Sequence, residues 1–136
     1  MIRLTRRYRF SASHRLHSDA LTEQANRNLY GKCNNPHGHG HNYSVEVSVR
    51  GPVDPDSGRA ADIDALDALV RRTVLDAFDH RDLNSEVPEF AGLVPTTENL
   101  AVEIRRRLLG SWPEAFPKLD RIRIDETKRN RFELYE

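Results

Sequence analysis

Six histidines, one cysteine and a few conspicuously placed carboxylates are the residues of this 136-residue sequence with the means to do chemistry. Three of the histidines fall in the run His37-Gly38-His39-Gly40-His41. Imidazole is a common zinc ligand, and catalytic zinc sites often use three protein ligands and leave a fourth position for water or substrate. Side chains at i and i+2 of a strand point the same way, so His39 and His41 can reach one ion. His14, at the end of another alternating segment and on its apolar parity, can supply the third ligand. The competing reading makes these hydrogen-bonded sheet histidines or an adventitious metal patch. His37 with His39 is a second pair at the same spacing, but the strand pattern begins more clearly from His39. His17 reads as a loop residue.

Cys33 lies six residues before His39, in the polar stretch GKCNNPHGHG. A nearby cation or metal favours its thiolate, a usable base or nucleophile, and thiolates also bind zinc. A buried inert thiol is the third possibility, against which the Asn- and Gly-rich setting argues. Asp79-His80 places a carboxylate beside a histidine, a pairing that suits acid or base work, although a helix-end charge pair explains it equally. Glu126 continues the parity of Ile122 and Ile124, so an acid extends an apolar face, either as a ligand anchor or as a strand end reaching solvent.

The elements that must position these groups follow from hydrophobic period. Residues 2 to 16 alternate as a half-buried strand with Ile2, Leu4, Tyr8, Phe10, Ala12 and His14 on one face. Residues 17 to 36 read as a long irregular loop, of a length that is usually functional. A second strand runs from His39 to Arg50. After the turn-rich GPVDPDSGRA, helical spacing predicts a helix from about Asp64 to Phe78, ended by DHRDLN and a polar loop through Pro88. Pro95, Thr96, Thr97 and Glu98 announce a second helix through Gly110, with a hydroxyl cap and an acid in the first turn. Two strands, 119 to 127 and 131 to 135, close the chain. The ββααββ order predicts a single α+β domain over 1–136, an antiparallel four-stranded sheet with two helices on one face.

Twenty-one basic residues balance 21 acidic ones, which excludes a strongly basic nucleic-acid binder. No apolar run is long enough to span a bilayer and the N-terminus offers no signal peptide, so the expected location is cytoplasmic, without a membrane partner. A single cysteine permits no intrachain disulfide. Hydrophobic residues are only 38% of the chain, a lean core that points to burial against partner subunits.

Taken together, FSASHRL (10–16), CNNPHGHGHNY (33–43), DHRDLN (79–84), PTTEN (95–99) and ET (126–127) resemble the 6-pyruvoyltetrahydropterin synthase / 6-carboxytetrahydropterin synthase family. The likeness covers essentially the whole chain in motif order. It implies a tunnelling fold (T-fold), in which subunits join their sheets into a barrel, typically a homohexamer of two stacked trimers. It implies a zinc ion held by His14, His39 and His41, and 7,8-dihydroneopterin triphosphate as substrate. By the same resemblance Cys33 is the base that removes a side-chain proton, Asp79 and His80 are the partner acid/base pair, and Glu126 anchors the pterin. Thr96 and Thr97 match positions lining the pterin pocket, and Glu98 is placed with them.

Pyruvoyl-type members carry the cysteine six residues before the first zinc histidine, many carboxy-type members four. Cys33 satisfies both spacings, through His39 and His37, and Asn42-Tyr43 after the histidines favours the first. The expected function is therefore a zinc-dependent lyase that eliminates triphosphate to give 6-pyruvoyltetrahydropterin. The alternative is 6-carboxytetrahydropterin synthesis for 7-deazaguanine (queuosine) production. A metal-binding module without catalysis and an aldolase-like pterin enzyme without zinc are further readings.

Overall fold

In the computed structural model, residues 1–135 are described. β1 (Ile2–His14) leads through α1 (Glu23–Tyr30) and a 3₁₀ turn (Gly31–Asn34) into β2 (His39–Gly51). α2 (Ile63–Val70) continues through a π-helical turn (Arg71–Leu75) into α3 (Asp76–Phe78). β3 (Arg81–Asp82), α4 (Leu83–Glu86), a 3₁₀ turn (Pro88–Phe90) and α5 (Thr97–Gly110) follow, and β4 (Lys118–Asp125) and β5 (Arg131–Tyr135) end the chain. The sheet runs β3-β1-β2-β4-β5. All pairings are antiparallel except β1 with β3.

One sheet face presents Phe10, Tyr43, Val45, Val47, Val49, Ile122 and Ile124, all nearly solvent-free, to Leu66, Leu69, Val74, Phe78, Leu100, Ile104 and Leu108 of the helices. The period-2 strands and period-3.6 helices thus share one core, and the architecture is the expected α+β sheet with helices on one face. Arg6, on the same parity as Phe10, forks onto Asp67 of α2 (2.8 and 3.1 Å), and Tyr8 donates to the same carboxylate. The other face is polar, with Glu46 buried among Arg7, Arg121 and Arg123.

Four expectations need correction. The sheet has five strands rather than four, because Arg81–Asp82 pairs with Ala12–Ser13. Two residues are too few to show a period in sequence. β1 stops at His14 rather than Leu16, because the Asn84 side chain takes over both backbone groups of Arg15 (2.7 and 2.9 Å). The 17–36 segment contains α1, capped by Thr22, whose hydroxyl accepts from Ala25 N–H. Its buried residue is Asn26, with its amide donating to Ser18, Leu21 and Thr22 carbonyls, so α1 carries no apolar stripe to read. The polar loop after α3 likewise contains α4. Among the described residues no helix is long and apolar enough to cross a membrane.

Candidate metal centre and its surroundings

The β1–β2 register places His14 directly opposite His39, and His41 opposite Ala12. Strand pleat then turns all three imidazoles to the helix side. Their ring centroids are 4.4–5.1 Å apart. Gly38 makes the close entry into β2 possible: its φ is +70°, and a Cβ there would lie 2.9 Å from the His14 carbonyl oxygen. Only glycine accepts both conditions without strain.

His14 is fully buried, and its Nδ1 donates to the Pro95 carbonyl at 2.9 Å. Because a carbonyl only accepts, the proton resides on Nδ1 and Nε2 keeps its lone pair. Burial lowers the pKa of His14, and likewise that of His41 against the opposing charge of Glu126, so both rings favour the neutral form that binds metals. Among the described residues, the Nε2 atoms of His14, His39 and His41 are all buried without a hydrogen-bond partner. Buried polar atoms are normally satisfied, and three convergent orphans are what a metal would satisfy. Cys33 completes the group: one ligand atom from each of His14, Cys33, His39 and His41 lies within 4.8 Å of all the others. The residues fit a zinc ion, with three nitrogens and a sulfur as the donor set.

Cys33 is held there by its turn. Its carbonyl accepts from Leu16 N–H at 2.7 Å, and the Asn34 amide donates to Leu16 O at 2.7 Å and meets His17 Nδ1 at 3.1 Å. Burial, with Glu126 adding to it, pushes the Cys33 thiol up. A bound cation acts in the opposite sense.

Glu126 follows β4 and lies beside the cluster, its Oε1 3.7 Å from His41 Nε2 and its side chain 13% exposed. The buried Thr97 hydroxyl donates to Oε2 and fixes the carboxylate. Thr96 instead caps α5, accepting from Asn99 N–H, and Glu98 is exposed in the first turn. His37 is exposed and outside the group of four, and His17 is a loop residue.

Asp79 and His80 are not brought to the cluster. Ser11 turns its backbone away from β2, donating to Asp79 Oδ1 (2.9 Å) and accepting from His80 N–H (2.6 Å). Asp79 Oδ1 also meets His80 Nδ1 at 3.0 Å, and the Ser11 N–H holds the Asp79 carboxyl below the usual range. His80 adopts φ +59°, rare outside glycine, and its side chain is 82% exposed. It lines a groove of about 350 Å³ at the sheet edge with Ser11, Ser13, Asn42 and His41 of the cluster. Backbone carbonyls such as that of Pro95 leave no mark in sequence, and Asn34 was readable only as a turn former.

The sequence model of the family described as 6-pyruvoyl tetrahydropterin synthase matches residues 3–136. The 6-pyruvoyl tetrahydrobiopterin synthase of Poecilia reticulata is 46% identical over 93% of this chain and 85% of its own length. That of Homo sapiens is 42% identical over 93% and 86%. A putative 6-carboxy-5,6,7,8-tetrahydropterin synthase of Archaeoglobus fulgidus is 31% identical over 66% of this chain and 69% of its own. The solved structure of Caenorhabditis elegans 6-pyruvoyl tetrahydropterin synthase superposes with a TM-score of 0.91 at 39% identity, covering 99% of this chain and 95% of that one.

Proposed function

The chain belongs to the 6-pyruvoyl tetrahydropterin synthase family, and from that premise we propose that it is a zinc-dependent lyase converting 7,8-dihydroneopterin triphosphate to 6-pyruvoyltetrahydropterin with loss of triphosphate. The observation that carries this reading is the convergence of His14, His39, His41 and Cys33 beside Glu126. The pyruvoyl product is favoured over the carboxy product because the long matches, at 42% and 46% identity, are to pyruvoyl synthases.

His14, His39 and His41 would hold the zinc, which when bound would supply Lewis acidity to the substrate side chain and so make its carbon-bound proton easier to remove. Glu126, accepting only and steadied by Thr97, takes the paired N–H donors of the pterin edge and so sets the side chain against the cluster. Cys33 takes the side-chain proton. Asp79 orients His80, which holds or returns a proton as triphosphate leaves.

The exposure of His80 supports an active site completed between copies. Outward of Ile2–Phe10, β1 has no paired strand among the described residues, and β5 likewise carries a free edge next to exposed Tyr135, Val102 and Leu109. Unpaired edges of this kind template strand addition. We therefore read the chain as a homo-oligomer, a hexamer of two trimeric barrels, in which His80 of one copy faces the cluster of another. The test is release of triphosphate from 7,8-dihydroneopterin triphosphate by the zinc-loaded protein. Release abolished by chelation and restored by zinc is expected; release that survives full chelation contradicts the reading.

A further inference from the structure

Four donor atoms around one point raise a conflict that three would not. Closed four-coordinate zinc sites are structural, whereas catalytic ones keep a position open. A ligand set of His14, Cys33, His39 and His41 is closed. Zinc can expand to five ligands in a transition state, but such a set admits a substrate most readily where one ligand can leave.

The elements differ in how freely they could release a ligand. His14 and His39 face each other across the paired strands β1 and β2, with His41 two residues further along β2. His14 is also fixed through Nδ1 to Pro95 and is fully buried. Cys33 sits on a four-residue 3₁₀ turn and is half-buried. Its turn is secured through backbone, by Leu16 N–H on the Cys33 carbonyl, and through the neighbouring Asn34 amide. Neither contact engages the thiol, so Sγ can rotate about χ1 while the turn stays in place. Glu126, the other anionic neighbour, is outside the group of four and is committed to Thr97.

We infer that Cys33 Sγ is an exchangeable fourth ligand, which closes the metal site in the substrate-free protein and gives up that position when the pterin side chain enters. This rests on the functional reading above. Exchange gives one thiol two successive places: on the metal while the site waits, and beside the substrate's carbon-bound proton once it is filled. It also keeps the half-buried sulfur from reacting with other electrophiles between turnovers, since a metal-held thiolate is the less available nucleophile.

X-ray absorption at the zinc edge reads the sulfur directly, because Zn–S scattering near ~2.3 Å is distinct from Zn–N or Zn–O near ~2.0–2.1 Å. The probe is neopterin, which carries the same hydroxylated side chain and no triphosphate to eliminate. The zinc-loaded protein alone is expected to show one sulfur, the neopterin complex none, and Cys33→Ala none in either state with zinc still bound. Absence of sulfur in the substrate-free protein overturns the inference, and so does sulfur that persists in the neopterin complex. If calorimetry shows that neopterin does not bind while the sulfur is present, the pterin reading itself fails, and exchange with it.

Discussion

Glu126→Gln is the substitution whose consequence the structure specifies most closely. The Glu126 carboxylate is 13% exposed, so water competes weakly for it, and the Thr97 hydroxyl holds one of its oxygens. A pterin edge offers paired N–H donors to this acceptor. Glutamine keeps one acceptor oxygen and turns an NH₂ donor toward the other N–H, exchanging an attractive contact for an opposed one. Hydrogen bonds to charged groups contribute about 1.5–3 kcal/mol and a buried group left unpaired costs about 1–3 kcal/mol, so a net loss of about 2–4 kcal/mol is expected. At about 1.4 kcal/mol per factor of ten, this raises KM about 30- to 700-fold. Steady-state triphosphate release with zinc stoichiometry measured on the same samples is the assay. An unchanged KM with kcat abolished would make Glu126 a proton-transfer group, and loss of zinc would make it a ligand; either result refutes its role as an anchor. Thr97→Val, which leaves the charge but frees the carboxylate, is expected to raise KM by about fivefold, the worth of one ordinary hydrogen bond of about 1 kcal/mol.

His39→Ala is expected to lose zinc, measured by metal analysis, while circular dichroism stays native; unfolding would instead make the histidines structural. His80→Ala and Cys33→Ala should each abolish turnover as separate proteins, yet recover part of it when refolded together, because hybrids regain some intact sites if copies share them. No recovery would place each site within one copy. Arg6, by hydrogen bonding, holds the Asp67 carboxyl below its ordinary value. Its contribution to stability is therefore complete above the unfolded carboxyl's value of about 3.9 and is lost as pH falls through the lower native value. Asp67→Asn should accordingly lower Tm at neutral pH, by a margin that shrinks as pH falls below about 3.9, as thermal melts into the acid range would show.

Much of the site was readable because it rides on strand period. His39 and His41 share a parity with Tyr43, Val45 and Val47, and His14 shares one with Phe10 and Ala12, so alternation alone turned all three inward. What parity cannot show is register, and only the pairing of His14 with His39 brings the rings together. α1 leaves no mark in hydrophobic period because it buries Asn26 instead of an apolar stripe. Asp79 and His80 were visible as a motif, but their placement depends on Ser11 backbone groups that every residue possesses. Thr96 and Thr97 show the same limit: adjacent hydroxyls of like chemistry go to different tasks, one to the Asn99 N–H and the other to Glu126, and only the helix start decides which.

The most direct measurement is mass analysis of the products formed from 7,8-dihydroneopterin triphosphate by the zinc-loaded protein. The expected products are 6-pyruvoyltetrahydropterin and inorganic triphosphate. A 6-carboxy product with acetaldehyde, or unchanged substrate, would contradict it.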